Sequence, residues 1–128
     1  LTSIKNFDTS LAEGVMLLTP FAADSKDQAT QDFVKAYKAA YNDETPNQFA
    51  ADAYDGVKIL AKLIESQNIT GDMSASDICE KLKAGITAAD FSYDGLTGTG
   101  MKWNANGEVS KSPKAVVIKD GNYAALDN

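Results

Sequence analysis

The chain has 128 residues, enough for one ordinary domain with one core and too few for two well-developed ones. Its apolar share of 44% and charged share of 23% describe a folded, soluble domain and exclude a disordered tail or a fibrous repeat. Twelve Lys and Arg against eighteen Asp and Glu leave a net charge of −6, which opposes binding to phosphate backbones and anionic membranes, so nucleic acid is not an expected partner.

The opening stretch to Ala12 is polar, and after Glu13-Gly14 the run Val15-Met16-Leu17-Leu18-Thr19 reads as a buried strand. Pro20 cannot donate to a central ladder and favours extended geometry at Thr19, so the strand is expected to end there. Ser25 with Gln28 makes a capping-box pattern, and Phe33, Val34, Tyr37, Ala40 and Tyr41 follow at helical spacing, predicting an amphipathic helix over 26–41. Thr45-Pro46 then supplies a cap and a first-turn proline for a second helix from Pro46 to about Ser66. Its apolar positions, Phe49, Ala50, Ala53, Tyr54, Val57, Leu60, Ala61 and Ile64, form the stripe expected to pack on a sheet.

Ser74 or Ser76 caps a third, shorter helix carrying Ile78, Cys79 and Leu82, with Gly85 placed to end it. The last third turns glycine-rich and β-branched. Strands are expected near 98–103, 114–119 and 122–126, the last two joined by an Asp120-Gly121 hairpin turn.

Little in this composition carries catalysis. With no His there is no imidazole base, triad member or metal ligand, and the single Cys79 falls on apolar helical periodicity, where a lone thiol is usually a small buried hydrophobe. Gly98-Thr99-Gly100 begins like a dinucleotide fingerprint, but Trp103 stands where the last glycine belongs and no helix follows. Asp52 and Asp55 lie three apart and could share a helix face as an acid/base or metal pair. The structural reading is stronger: Asp52 complements the helix dipole and Asp55 meets Lys58 or solvent. Asp24, Asp27 and Asp32 flank the first helix as a solvated start, and Asn104-Ala105-Asn106-Gly107-Glu108 reads as a tight turn. No catalytic residue, metal ligand or cofactor is therefore expected, and the protein is not read as an enzyme. No run approaches the roughly 18 apolar residues that span a bilayer, so this segment is not expected to insert in a membrane. The chain starts at Leu1 without a signal-like segment, so targeting information is expected to be missing or removed and the sequence to be a piece of something longer.

Several segments together match a known pattern in order and spacing. Glu13-Gly14-Val15, Thr19-Pro20-Phe21, Phe33-Val34-Lys35-Ala36-Tyr37, Pro46 to Asp55, Gly95-Leu96-Thr97-Gly98, Met101 to Glu108 and Val116 to Tyr123 resemble the C-terminal segment of the branched-chain amino-acid-binding proteins of ABC transporters. The resemblance covers nearly the whole chain and roughly a third of a usual family member. It implies an α/β fold of the type 1 periplasmic binding protein kind, present in part: about three helices packed on strands from two incomplete lobes. One lobe would hold mainly residues 22–109 and the other mainly 1–21 and 110–128, with chain crossings near Thr19 to Phe21 and Ser110 to Lys114.

The implied function is that of an extracytoplasmic solute-binding component of an ABC importer for amino acids or similar small solutes. Ligand would be held in an interlobe cleft that closes about a hinge. The alternative is a ligand-binding sensor domain of a receptor with the same fold. Partners implied are the small-molecule ligand and the transporter's permease subunits, and the location is periplasmic, or extracellular and lipid-anchored. The regions that hold a ligand's carboxylate and ammonium groups would precede Leu1. Phe49, five positions before Tyr54, falls where the family places an aromatic wall against the ligand side chain and is the one ligand-binding residue assigned. A parallel sheet cut from its lobe would expose strand edges and apolar helix faces, so the segment alone is expected to self-associate.

Overall fold

The computed structural model describes residues 8–126. A short 3-10 turn at Thr9–Ala12 leads to β1 (Met16–Thr19), followed by α1 (Gln28–Ala40), α2 (Gln48–Ser66), α3 (Ala75–Ile86), β2 (Tyr93–Gly95), β3 (Gly98–Met101), β4 (Lys114–Lys119) and β5 (Asn122–Ala125). The chain divides into two compact units, one holding the residues up to Ala51 together with those from Pro113 onward, the other Asp52–Ser112.

In the first unit β1, β4 and β5 form an antiparallel sheet in that order, with Met16 opposite Val117 and Lys119 opposite Asn122. The expected parallel pairing does not occur among these strands. Asp120-Gly121 closes the β4–β5 hairpin with φ of 50° and 75°, the left-handed geometry of a type I′ turn. Val116 and Ile118 alternate inward on β4 and are buried. β1 departs from its reading as a buried strand: Met16 and Leu18 are each 69% exposed while Thr19 is buried. A strand's side chains alternate between faces, and among the described residues the face that carries Met16 and Leu18 is uncovered.

α1 starts two residues later than expected because Asp27, not Ser25, is its cap. Asp27 accepts from the Thr30 amide at 2.9 Å, and the Ser25 hydroxyl donates to the same carboxylate at 2.6 Å. Phe33, Tyr37 and Tyr41, each a turn apart, stack along this helix, and Phe21 meets Phe33 edge-on with centroids 5.9 Å apart. Asp24 is not part of a solvated helix start: its carboxylate accepts from the Ala125 amide and tethers β5.

In the second unit the buried side of α2 is Asp55, Ile59 and Leu63, continuing the line of Ala51. Four-residue spacing puts these on one face. The stripe expected to be buried is on the opposite side: Phe49, Tyr54, Val57, Leu60 and Ile64 are all exposed. The charge on Asp55 hides the real inner face from a hydrophobicity reading, since a carboxylate breaks the apolar pattern even when donors await it. α3 is capped by Ser74, whose hydroxyl oxygen accepts from the Asp77 amide at 3.1 Å. It continues past Gly85, which is buried inside the helix rather than ending it. A Cβ there would lie 2.9 Å from Gln67 Cγ and 3.0 Å from Leu63 Cδ2, so this glycine marks a close approach of α3 to α2. Cys79 is exposed, contrary to expectation, because it is one residue and a sideways turn from Ile78, on the face away from Gly85. β2, unforeseen, pairs antiparallel with β3, the pair spanning Tyr93↔Met101 and Gly95↔Gly98. β3 ends at Met101 rather than 103, and Trp103 makes a single bridge to Val109 around the expected Asn104–Glu108 turn.

Candidate functional site

Phe49 occupies the first turn of α2 with 72% of its surface exposed. Its backbone is fixed from two sides. Asn47 Oδ1 accepts from the Ala50 amide at 3.1 Å, so Asn47 and not Thr45 caps the helix, which begins at Gln48 rather than Pro46. The hydroxyl of Thr19, at the end of β1, is buried and lies 3.0 Å from Gln48 Oε1 and 3.1 Å from the Phe21 carbonyl. One hydroxyl proton serves one of these acceptors at a time, while the Phe21 amide donates back to the same oxygen at 3.4 Å. Through these bonds the end of β1 and the start of α2, 29 residues apart in sequence, are held together beside Phe49. The ring itself is left presented on a rigid backbone, which is the arrangement an apolar ligand wall needs.

The two aspartates on α2 have unrelated tasks. Asp55 is 3% exposed and accepts three hydrogen bonds: from the Leu96 amide at 2.9 Å, the Thr97 amide at 2.9 Å and the Thr97 hydroxyl at 2.8 Å. Its sequence position suggested a contact with Lys58 or solvent; its partners are instead Leu96 and Thr97. Gly95 is what permits this: a Cβ there would come within 2.6 Å of the Asp55 carboxylate. Asp52 is half-buried and pairs with Lys111, Nζ to Oδ1 at 3.1 Å. The same ammonium donates to Thr97 Oγ1 at 2.8 Å. Lys111 therefore joins both aspartates, one directly and one through a threonine. Burial first, then the charge of Asp55 and the neighbouring Tyr54, push the Tyr93 phenol above its usual range, so Tyr93 stays a neutral hydroxyl.

The Asp55 carboxylate is saturated by donors, and among the described residues no group of three or more acidic or cysteine side chains could hold a metal ion. A cavity of about 210 Å³ lies between the C-terminal turns of α2 and α3 and the loop to β2. Lys62, on its wall, already donates to the Ser92 carbonyl at 3.1 Å and sits over the Phe91 and Tyr93 rings. Among the described residues no helix is long and apolar enough to cross a membrane.

The signal for Phe49 was a ring in the first turn of a capped helix together with the family pattern. Thr19, Gln48 and Lys111 had no such signal, since a threonine after three apolar residues and a lysine in a polar stretch look ordinary until the fold brings their partners in.

Comparison with known proteins gives a consistent picture. The family model described as periplasmic binding protein matches residues 2–122. A solved structure from Rhodospirillum rubrum, a branched-chain amino acid ABC transporter protein, shares 26% identity at a TM-score of 0.63, over 90% of this chain and 31% of its own. An ABC transporter substrate-binding protein from Desulfitobacterium hafniense in complex with leucine shares 25% identity at a TM-score of 0.71, over 91% and 32%. A solute-binding protein of an ABC transporter from R. palustris in complex with benzoate has the same fold, at 22% identity and a TM-score of 0.69, over 90% and 29%. The chain thus spans about a third of the length of these neighbours. No curated protein sequence matches it.

Proposed function

The chain belongs to the periplasmic binding protein family, and from that premise we propose that it is the C-terminal part of an extracytoplasmic solute-binding component of an ABC importer, with Phe49 as an apolar wall of the ligand site. The Desulfitobacterium hafniense neighbour is a substrate-binding protein of an ABC transporter. The observation that carries the reading is the exposed Phe49 ring on a backbone pinned by Asn47 and Thr19. A wall held this way contributes contact area at small entropic cost, and it suits a ligand with an aliphatic or aromatic body. Leucine and benzoate, found in two neighbours, both have one. The polar groups that would grip the charged end of such a ligand belong to the two thirds of the fold that the neighbours have in addition. Permease subunits of the importer are the corresponding macromolecular partners.

The test is calorimetric titration of the full-length protein carrying this segment with leucine and with benzoate. Phe49→Ala is expected to weaken binding by about ten- to a hundredfold, the equivalent of roughly 1 to 3 kcal/mol of lost apolar contact. Unchanged affinity overturns the wall assignment, and absence of binding to either probe by the wild type overturns this choice of ligand class.

The segment by itself is proposed to associate with a second copy. Tyr54, Val57, Leu60 and Ile64 leave an apolar face on α2, and Met16 and Leu18 leave another on the edge strand β1. Surfaces of this kind pair or aggregate in water. Light scattering of the 128-residue chain is expected to show dimers or larger species, and a strict monomer at high concentration refutes the idea.

A further inference from the structure

Gln48 opens α2 one residue before Phe49, and only part of its side chain is spent. Its amide oxygen lies 3.0 Å from the hydroxyl of Thr19 at the end of β1, and among the described residues no other hydrogen bond reaches this amide. Thr19 is buried, and its Oγ1 also lies 3.1 Å from the Phe21 carbonyl and accepts from the Phe21 amide at 3.4 Å. Its single proton therefore has two acceptors. When the proton goes to Gln48 Oε1, both N–H groups of the Gln48 amide are spare. When it goes to the Phe21 carbonyl, the Gln48 amide turned over donates one N–H to Thr19 Oγ1 and keeps its oxygen spare. In either arrangement the planar amide is held by one edge and offers the other. Gln48 is half-buried and carries this open edge on the same first turn that Asn47 caps.

We propose that Gln48 is a specificity-determining residue, pairing with a hydroxyl group on the body of a solute whose apolar surface rests on Phe49. The inference rests on the solute-binding reading and narrows the chemical class of the solute. A hydroxyl suits both arrangements of the amide, because it accepts from the spare N–H in one and donates to the spare oxygen in the other. A carboxylate serves only the first and an ammonium only the second. An apolar group serves neither, and it displaces water from an amide edge that it cannot satisfy. The tie to Thr19 already restricts the Gln48 side chain, so little further ordering is needed when the solute arrives. Because the amide is half-buried and not enclosed, water replaces part of a missing partner, and the preference for a hydroxyl is the net worth of one hydrogen bond, about two- to tenfold in affinity.

The experiment is calorimetric titration of the full-length protein carrying this segment, and of its Gln48→Met and Gln48→Leu variants, with benzoate and para-hydroxybenzoate, which differ by one ring hydroxyl. The readout is the ratio of the two affinities, because loosening the start of α2 weakens both probes by the same factor and leaves the ratio where it was. Wild type is expected to bind para-hydroxybenzoate about two- to tenfold more tightly than benzoate. Both variants are expected to bring the ratio to about one by losing affinity for para-hydroxybenzoate, while benzoate binding changes by less than about twofold. Phe49→Ala is expected to weaken both probes and keep the preference. A wild-type ratio retained in both variants, loss of both probes together in the variants, or wild-type binding of benzoate as tight as that of para-hydroxybenzoate overturns the role of Gln48 and leaves the solute-binding reading standing. Leucine, titrated in parallel, separates the remaining outcomes. Wild type that binds leucine and neither aromatic acid overturns the role of Gln48 alone, whereas wild type that binds none of the three overturns the solute-binding reading as well.

Discussion

The region around Asp55 and the region around Phe49 lie on one helix and are built to opposite ends. At Asp55 every donor and acceptor is matched: a buried carboxylate, two amides, a hydroxyl and a glycine that leaves room for them. At Phe49 the backbone is equally well fixed, by Asn47 and by Thr19 through Gln48, yet the side chain is left open. A closed polar network holds architecture, because a saturated group has nothing left to offer a ligand. A fixed backbone with an unspent side chain is what recognition requires.

Breaking the closed region has the largest expected effect. Asp55→Ala strands the Leu96 and Thr97 amides, while the Thr97 hydroxyl keeps the Lys111 ammonium, and at about 1 to 3 kcal/mol for each unsatisfied buried group the second unit is expected to lose roughly 2 to 6 kcal/mol or fail to fold. Chemical denaturation measures this, and a loss below about 1 kcal/mol would show that solvent replaces Asp55 easily. Phe49→Ala sharpens the contrast from the other side. Under the proposed wall role its effect is expected in affinity, while stability in the same denaturation assay is expected to move by less than about 0.5 kcal/mol, as for an ordinary surface substitution.

The smallest effect is at Asp27, where polar saturation acts at a helix end. Partial burial alone raises its pKa, but the Ser25 hydroxyl, the Thr30 amide and the charge of Lys114 outweigh this and hold the carboxyl below the usual carboxylate range. A depressed folded-state pKa means that the unfolded chain binds the proton first. The stabilisation is therefore present above the ordinary Asp pKa and is lost as pH falls through the lower, folded value. Asp27→Ala is expected to cost about 1 kcal/mol near neutrality, the usual worth of a cap, and to flatten the acid limb of the stability profile. An acid limb identical to wild type would remove Asp27 as its source.

Much of this was legible in the residues. The three helices, the β4–β5 hairpin and the Asn104–Glu108 turn follow from local signals, and local signals survive because caps and turn residues act within a few positions of themselves. The boundaries moved where two neighbouring residues could both serve, as Ser25 and Asp27 could at α1 or Thr45 and Asn47 at α2. The face of α2 was misjudged for a different reason. Periodicity ranks residues by transfer from water, and Asp55 is buried because Leu96, Thr97 and Gly95 prepare a place for it some 40 residues later in the chain. Cys79 and Gly85 exchanged their expected parts on α3 in the same way, the packing against α2 deciding which position is inside.

By itself, the sequence determined the kinds of element, their order, the absence of imidazole chemistry and the family to which the chain belongs, since composition, capping residues and ordered motifs are properties of the chain read along its length. Only the tertiary structure decided that Asp55 is a buried staple, that Thr19 reaches Gln48 and that Lys111 joins Asp52 to Thr97. Such roles depend on which donors and acceptors are brought within about 3 Å of one another, and that distance exists only after the chain has folded.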